Sequence, residues 1–132
     1  MRRTVIRSTG KYLPPRVVTN EDMTQWMDTS DEWIQQRTGI EQRHWIPEEG
    51  GVGASDLGLE AAKIALERAG WQAEALDLII FATLSPDLNF PGSGCLLQNK
   101  LGLADTRLWI SGSSAPASYT AWRWRMPTSA AG

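Results

Sequence analysis

Trp33 and Arg37 stand four residues apart in Asp28-Thr29-Ser30-Asp31-Glu32-Trp33-Ile34-Gln35-Gln36-Arg37-Thr38-Gly39-Ile40. On a helix, that spacing puts both side chains on one face. An indole plane beside a guanidinium plane can sandwich a flat, electron-rich group such as a purine. The plainer alternative is a surface cation–π pair. Thr29 followed by Glu32 reads as a capping box, in which hydroxyl and carboxylate each satisfy a free N–H at the helix start. Gly39 sits where the same short helix should stop. Cys95 and His44 are the chain's single cysteine and single histidine, so any thiol or imidazole chemistry would fall to them.

The elements that must position these residues follow from the pattern on either side. Thr4 to Ser8 is a short β-branched run predicted as a strand, with Gly10 ending it and Leu13-Pro14-Pro15 forming the turn. Thr19 and Asp22 resemble a second capping box, opening a helix through Met23 and Trp26. Ile40 to Ile46 is a weak strand, polar in its middle and closed by Pro47. Ala54 to Ala69 is the clearest helix, with Leu57, Ala61, Ile64 and Ala65 on one apolar face and Gly70 as its stop. Leu78 to Leu84 is a nearly continuous apolar run of strand length, which predicts burial on both faces. Pro91-Gly92-Ser93-Gly94 leads into a helix from about Cys95 to Leu101, stopped by Gly102. Strands alternating with helices predict an α/β layer architecture.

A chain of 132 residues bounds the answer at one domain. The net charge of −2 leaves no electrostatic footprint for nucleic acid or an anionic membrane. One cysteine excludes an internal disulfide framework, and one histidine leaves no room for a zinc cluster, so no metal is expected. No apolar run reaches membrane length. Met1-Arg2-Arg3-Thr4-Val5-Ile6 is too short in apolar residues for a signal peptide, so the expected compartment is the cytoplasm.

The segment Asp28 to Ile40 closely resembles a signature of β-ketoacyl-acyl carrier protein synthase III, a condensing enzyme of the thiolase superfamily. The likeness continues in order through Thr9-Gly10, Tyr12-Leu13-Pro14, Val18-Thr19-Asn20, Glu41, Arg43-His44 and Gly58. Glu60-Ala61-Ala62, Phe81-Ala82-Thr83, Phe90-Pro91 and Gly102-Leu103 complete it, over about the first hundred residues. The resemblance implies a thiolase-like α/β fold of which this chain spans the beginning of the first half, a mixed sheet covered by helices. It implies an enzyme that takes an acyl group from acyl-CoA, then condenses it with malonyl-acyl carrier protein to start fatty acid or related polyketide-like synthesis. The resemblance also implies a homodimer, with acyl-CoA as substrate and no separate cofactor. In that family the Trp and Arg of the signature clamp the adenine of coenzyme A, which assigns the clamp to Trp33 and Arg37. Thr29 is at a further contact to the nucleotide end. Phe90 matches a residue that reaches across the dimer interface and helps wall the partner's acyl pocket; the surrounding Leu84-Ser85-Pro86-Asp87-Leu88-Asn89 departs from the commonest family wording. Cys95 falls in a helix ahead of the catalytic turn and reads as a buried, inert thiol. His44 reads as a structural or surface residue.

From Thr106 the chain changes character. Asp105 is the last acidic residue, and residues 107–127 are rich in Ser, Ala, Arg and Trp, with no helical or strand period longer than a few residues. The family pattern expects a buried strand here, then a turn carrying the nucleophilic cysteine. Codons permitted for Trp109 to Tyr119, read one base upstream, give Leu-Asp-Ile-Arg-Gln-Gln-Cys-Ser-Gly-Phe-Leu, which is family-like. The cysteine would span the Ser114–Ala115 junction. The sequence is therefore divided into residues 1–105, the N-terminal part of a condensing-enzyme domain, and 106–132, an out-of-frame tail. Trp122-Arg123-Trp124-Arg125 resembles a nucleic-acid patch but is too short to carry that function. With the catalytic Cys, His and Asn missing, this chain itself is expected to be inactive. The alternative is a non-catalytic truncated remnant or interaction fragment. Either way, incomplete cover of the Leu78–Leu84 strand predicts exposed apolar surface and aggregation.

Overall fold

A computed structural model describes residues 4–112. The chain divides into two compact units, Tyr12–Gly53 and the combination of Met1–Lys11 with Ala54–Gly132.

The Tyr12–Gly53 unit contains strand β1 (Arg16–Thr19), helix α1 (Asn20–Met23), helix α2 (Asp31–Thr38) and strand β2 (Gln42–Trp45). β1 and β2 pair antiparallel, with Val18 opposite Arg43 and Thr19 opposite Gln42. The Thr19–Asp22 capping box forms as expected: the Thr19 hydroxyl accepts the Asp22 N–H, and the Asp22 carboxylate accepts the Thr19 N–H at 2.8 Å. Ile40 to Ile46 does form a strand, shortened to β2. β1 has no counterpart in the sequence reading, because two valines between Pro15 and a helix cap show no period until a partner strand is in place.

The cap of α2 lies one residue later than the sequence suggested. Ser30, not Thr29, is the N-cap, and its hydroxyl accepts the Trp33 N–H at 3.2 Å. The third helical residue is thus Trp33, which has no carboxylate to complete a box. Glu32 instead accepts the Gln36 side-chain amide at 3.0 Å, one turn along. Asp28-Thr29-Ser30-Asp31 offers four side chains able to cap. The choice is decided by Asp31, which as the first helical residue accepts bonds from Asn20 and Gln35. Gly39 stops α2 as expected, with φ 69° and its N–H on the Gln35 carbonyl.

The second unit contains helix α3 (Ala54–Ala69), a 3₁₀ turn (Ala73–Ala75), strand β3 (Leu78–Ala82), helix α4 (Ser93–Lys100) and strand β4 (Arg107–Ser111). β3 and β4 are parallel, with α4 in the connection between them. β4 lies in the segment where the residue pattern suggested no period longer than a few residues. Ile79, Phe81, Leu108 and Ile110 alternate onto one sheet face. Gly58 and Gly94 let the helices close on that face. A Cβ at Gly94 would come within 2.9 Å of both the Ile110 and Leu108 side chains, and one at Gly58 within 3.0 Å of the Phe81 ring.

Two sequence expectations fail in this unit. Leu78–Leu84 is not buried on both faces: Ile79 is 8% exposed, but Ile80, one residue on, is 39% exposed. Ile80 and Trp109 both remain partly exposed, so the expected exposure of apolar surface is present. Thr4–Ser8 is not a strand either. It has no ladder partner among the described residues, and Val5 and Ile6 are exposed. It is held instead by the Ser8 hydroxyl, which donates to the Ala65 carbonyl at 2.7 Å.

The carboxyls of Asp22, Asp31 and Asp87 sit below the ordinary carboxylate range. At Asp22 the causes are the bonds from the Thr19 backbone and side chain, and at Asp31 those from Gln35 and Asn20. At Asp87 burial pushes the other way, but bonds involving Ser93 and Ser55 outweigh it. A carboxyl with a depressed folded-state pKa stabilises above its unfolded value, about 3.9, and that contribution is lost as pH falls through the folded-state value. The melting temperature should therefore be flat between about pH 7 and pH 5 and decline below about pH 4. A melt that stayed level into that acid range would contradict these bonds.

Candidate functional site

Helix α2 carries the candidate site. Its two ends are fixed by Ser30 and Gly39, and its inner side by Ile34, which is buried. Trp33 and Arg37 project together from the outer side, Trp33 being 53% exposed. The Arg37 guanidinium lies 4.7 Å from the centre of the Trp33 ring. At that distance the unliganded pair is a cation–π contact, with no gap for a third plane between them. A flat ligand therefore has two ways in: onto the free face of the indole, or between the planes after the long, exposed Arg37 side chain swings away. Thr29, just ahead of the cap, is partly buried, and its hydroxyl oxygen has no hydrogen-bond partner. Such an orphaned hydroxyl costs stability unless something else bonds to it.

What holds this helix in place was not legible as a site feature. Asn20 is only 1% exposed. Its side-chain amide donates to the Asp31 carboxylate and to the Ile40 carbonyl, each at 2.7 Å. Its side-chain oxygen accepts from Arg43, which also donates to the Thr19 carbonyl at 3.2 Å. One asparagine thus ties the start of α2, the chain leaving it, and strands β1 and β2. No spacing rule finds a buried asparagine; the only hint was that Asn20 and Arg43 both fall in the family-like wording.

The remaining candidates are separate from this constellation. The His44 Nδ1–H donates to the Pro14 carbonyl at 2.6 Å, a structural tie between β2 and the chain before β1. Cys95 sits in the first turn of α4, half-buried rather than fully buried, with its thiol directed to the Pro91 carbonyl at 3.5 Å. Phe90 lies in the loop between β3 and α4 and is 90% exposed. Cys95 and Phe90 belong to the second unit, away in sequence from Trp33 and Arg37. Ser114, Ala115 and the Trp122–Arg125 stretch lie outside the described residues. An apolar cavity of about 370 Å³ opens beside α3, lined by Val5, Ile6, Leu66, Trp71 and Leu76 among others. It gathers no set of polar groups able to do chemistry. Among the described residues there is no cluster of three metal-ligating side chains, and no helix long and apolar enough to cross a membrane.

No protein-family profile matches the chain. It is 48% identical over 101 residues to the beta-ketoacyl-[acyl-carrier-protein] synthase III of Hyphomonas neptunium, a match covering 76% of this chain and 31% of that protein. To the same-named protein of Caulobacter vibrioides it is 52% identical over 100 residues, covering 76% of this chain and 30% of the other. The crystal structure of 3-oxoacyl-[acyl-carrier-protein] synthase III from Aquifex aeolicus superposes with a TM-score of 0.72 at 44% identity, covering 80% of this chain and 33% of that one. The chain therefore spans about a third of the length of the relatives it matches.

Proposed function

Because the matched 76% of this chain belongs to the β-ketoacyl-[acyl-carrier-protein] synthase III family and has that family's thiolase-like α/β fold, we propose that it carries the coenzyme A recognition element of such a condensing enzyme. The whole enzyme moves an acyl group from acyl-CoA to a cysteine thiolate, forming an enzyme thioester and releasing free coenzyme A. Malonyl-acyl carrier protein then loses carbon dioxide, and its carbanion attacks that thioester, returning the thiolate. This chemistry needs an activated thiolate and hydrogen-bond donors for the developing enolate and oxyanion. It needs no cofactor beyond acyl-CoA as substrate, and the compartment that fits is the cytoplasm.

The observation that carries this reading is the exposed Trp33–Arg37 pair on a locally capped helix, 4.7 Å apart. Thr29 supports it through a buried hydroxyl that still lacks a partner. Phe90, projecting from its loop, is the residue for the acyl pocket and the dimer contact. Residues 1–105 form the family part, and 106–132 the out-of-frame tail. Cys95 is not read as the nucleophile, since its S–H is directed to the Pro91 backbone carbonyl at 3.5 Å rather than to a base. The chain by itself is thus expected to bind without turning over. The second reading, a non-catalytic fragment that pairs with other polypeptide, is favoured by apolar side chains left exposed in the second unit, such as Ile80 and Leu84.

Intact-mass measurement after incubation with acetyl-CoA tests the assignment. The mass should remain that of the unmodified chain, and no carbon dioxide should leave malonyl-acyl carrier protein. A stable acyl adduct on Cys95 would overturn the assignment. Reading the DNA across the Thr106 codon separates the two functional readings. A single base restored there returns the cysteine turn, whereas a confirmed shift followed closely by a stop codon supports the fragment.

A further inference from the structure

We propose that Asp87 is the positioning residue of the Phe90 loop. The functional meaning of that position rests on the reading of Phe90 given above; the positioning itself does not. Ten residues, 83–92, join β3 to α4, and Phe90 near the end of this loop is the most exposed large apolar side chain described. A loop of this kind should hold no fixed position unless something anchors it.

Asp87 supplies anchors on both sides. Its carboxylate accepts the Ser55 backbone N–H, at 3.0 Å to one oxygen and 3.3 Å to the other. Its own backbone N–H donates to the Ser93 hydroxyl at 2.8 Å. Ser55 lies in the first turn of α3 and Ser93 begins α4, and both are fully buried. Gly53, ahead of α3, has no side chain to cap that helix. A carboxylate from 32 residues away does so instead, where the helix dipole favours negative charge. The network continues through Lys100, whose ammonium donates to the Ser55 hydroxyl at 2.8 Å and to Asp56 at 2.6 Å. The starts of two helices are thereby bound to the middle of the loop. Only Leu88 and Asn89 separate Asp87 from Phe90, so fixing Asp87 fixes where the ring is presented.

The chain contains two phenylalanines, which makes a direct test available. With 4-fluorophenylalanine incorporated, Phe81 reports the packed sheet and Phe90 reports the loop. In Asp87→Ala, and independently in Ser93→Ala, the Phe90 fluorine line should narrow by about twofold or more as the loop gains motion, with the Phe81 line unchanged. Asp87→Asn keeps an oxygen for the Ser55 N–H and should retain most of the original width. An unchanged Phe90 line in Asp87→Ala would overturn the proposal. So would a Phe81 line that moves in step with it, or the lack of a dispersed Phe81 line, because Asp87 would then hold no loop in particular. None of these results bears on whether Phe90 walls an acyl pocket, which is read separately from the acyl-chain preference of Phe90 variants in a full-length relative.

Discussion

Asn20→Ala should unfold the Tyr12–Gly53 unit or leave it only marginally folded. The substitution removes three hydrogen bonds at a site only 1% exposed and strands the Ile40 carbonyl together with part of the Arg43 guanidinium. Leaving buried groups unpaired costs about 1–3 kcal/mol each, more where a charge is involved. A loss of about 3 kcal/mol is comparable to what a single core of this size supplies. The near-ultraviolet signal of Trp26 and Trp45, whose rings lie 5.1 Å apart, should collapse with it. α2 should also lose helicity, since so short a helix is marginal without tertiary support. A variant that kept the tryptophan signal and the protection of β1 and β2 amides would show that Asn20 does not hold the unit together.

Gly10→Ala should be the most damaging small substitution in the other unit. An added Cβ would run into the Ala61 carbonyl oxygen and lie 2.7 Å from the Ala65 nitrogen. Both are helix backbone atoms that cannot turn aside, so the segment 4–11 must lift off α3. Overpacking of this kind costs about 1–3 kcal/mol, with the upper end expected where backbone is the obstacle. Gly39→Ala provides the contrast. Nothing lies near its Cβ, and only the φ of 69° opposes the side chain, at about 1 kcal/mol. The denaturant midpoint should fall further for Gly10→Ala than for Gly39→Ala, with faster proteolysis after Arg7. Equal midpoints and unchanged cleavage would contradict the close approach to α3.

Features decided within a turn of helix were legible in the residues. The Thr19–Asp22 box, the periodic body of α3 and the stops at Gly39 and Gly70 depend on nothing distant, whereas the start of α3 is capped by Asp87 from 32 residues away. The residues alone leave the cap of α2 undecided by one position, because Thr29 and Ser30 are chemically equal and Asn20, through Asp31, chooses between them from across the unit. β1 leaves no signal in the residues, and the β-branched run Thr4–Ser8 forms no strand, for the same reason. A strand exists only when another edge pairs with it, and the pattern of one segment does not reveal its partner. Leu78–Leu84 has the wording of a strand covered on both faces, but cover is a property of the rest of the fold. At the site, the spacing of Trp33 and Arg37 offers both a ligand sandwich and a direct cation–π pair, and the unliganded structure shows the pair.

The central claim is that Trp33 and Arg37 recognise the adenine end of coenzyme A. Ligand-observed NMR on the chain and on Trp33→Ala, comparing coenzyme A, 3′,5′-ADP and pantetheine, tests it most directly. Base–aromatic stacking is worth about 1–3 kcal/mol, so Trp33→Ala should weaken coenzyme A and 3′,5′-ADP alike by about tenfold or more. Pantetheine should show no binding to either form. Equal affinity of the two forms for coenzyme A would mean that Trp33 is a surface tryptophan paired with Arg37 and nothing more.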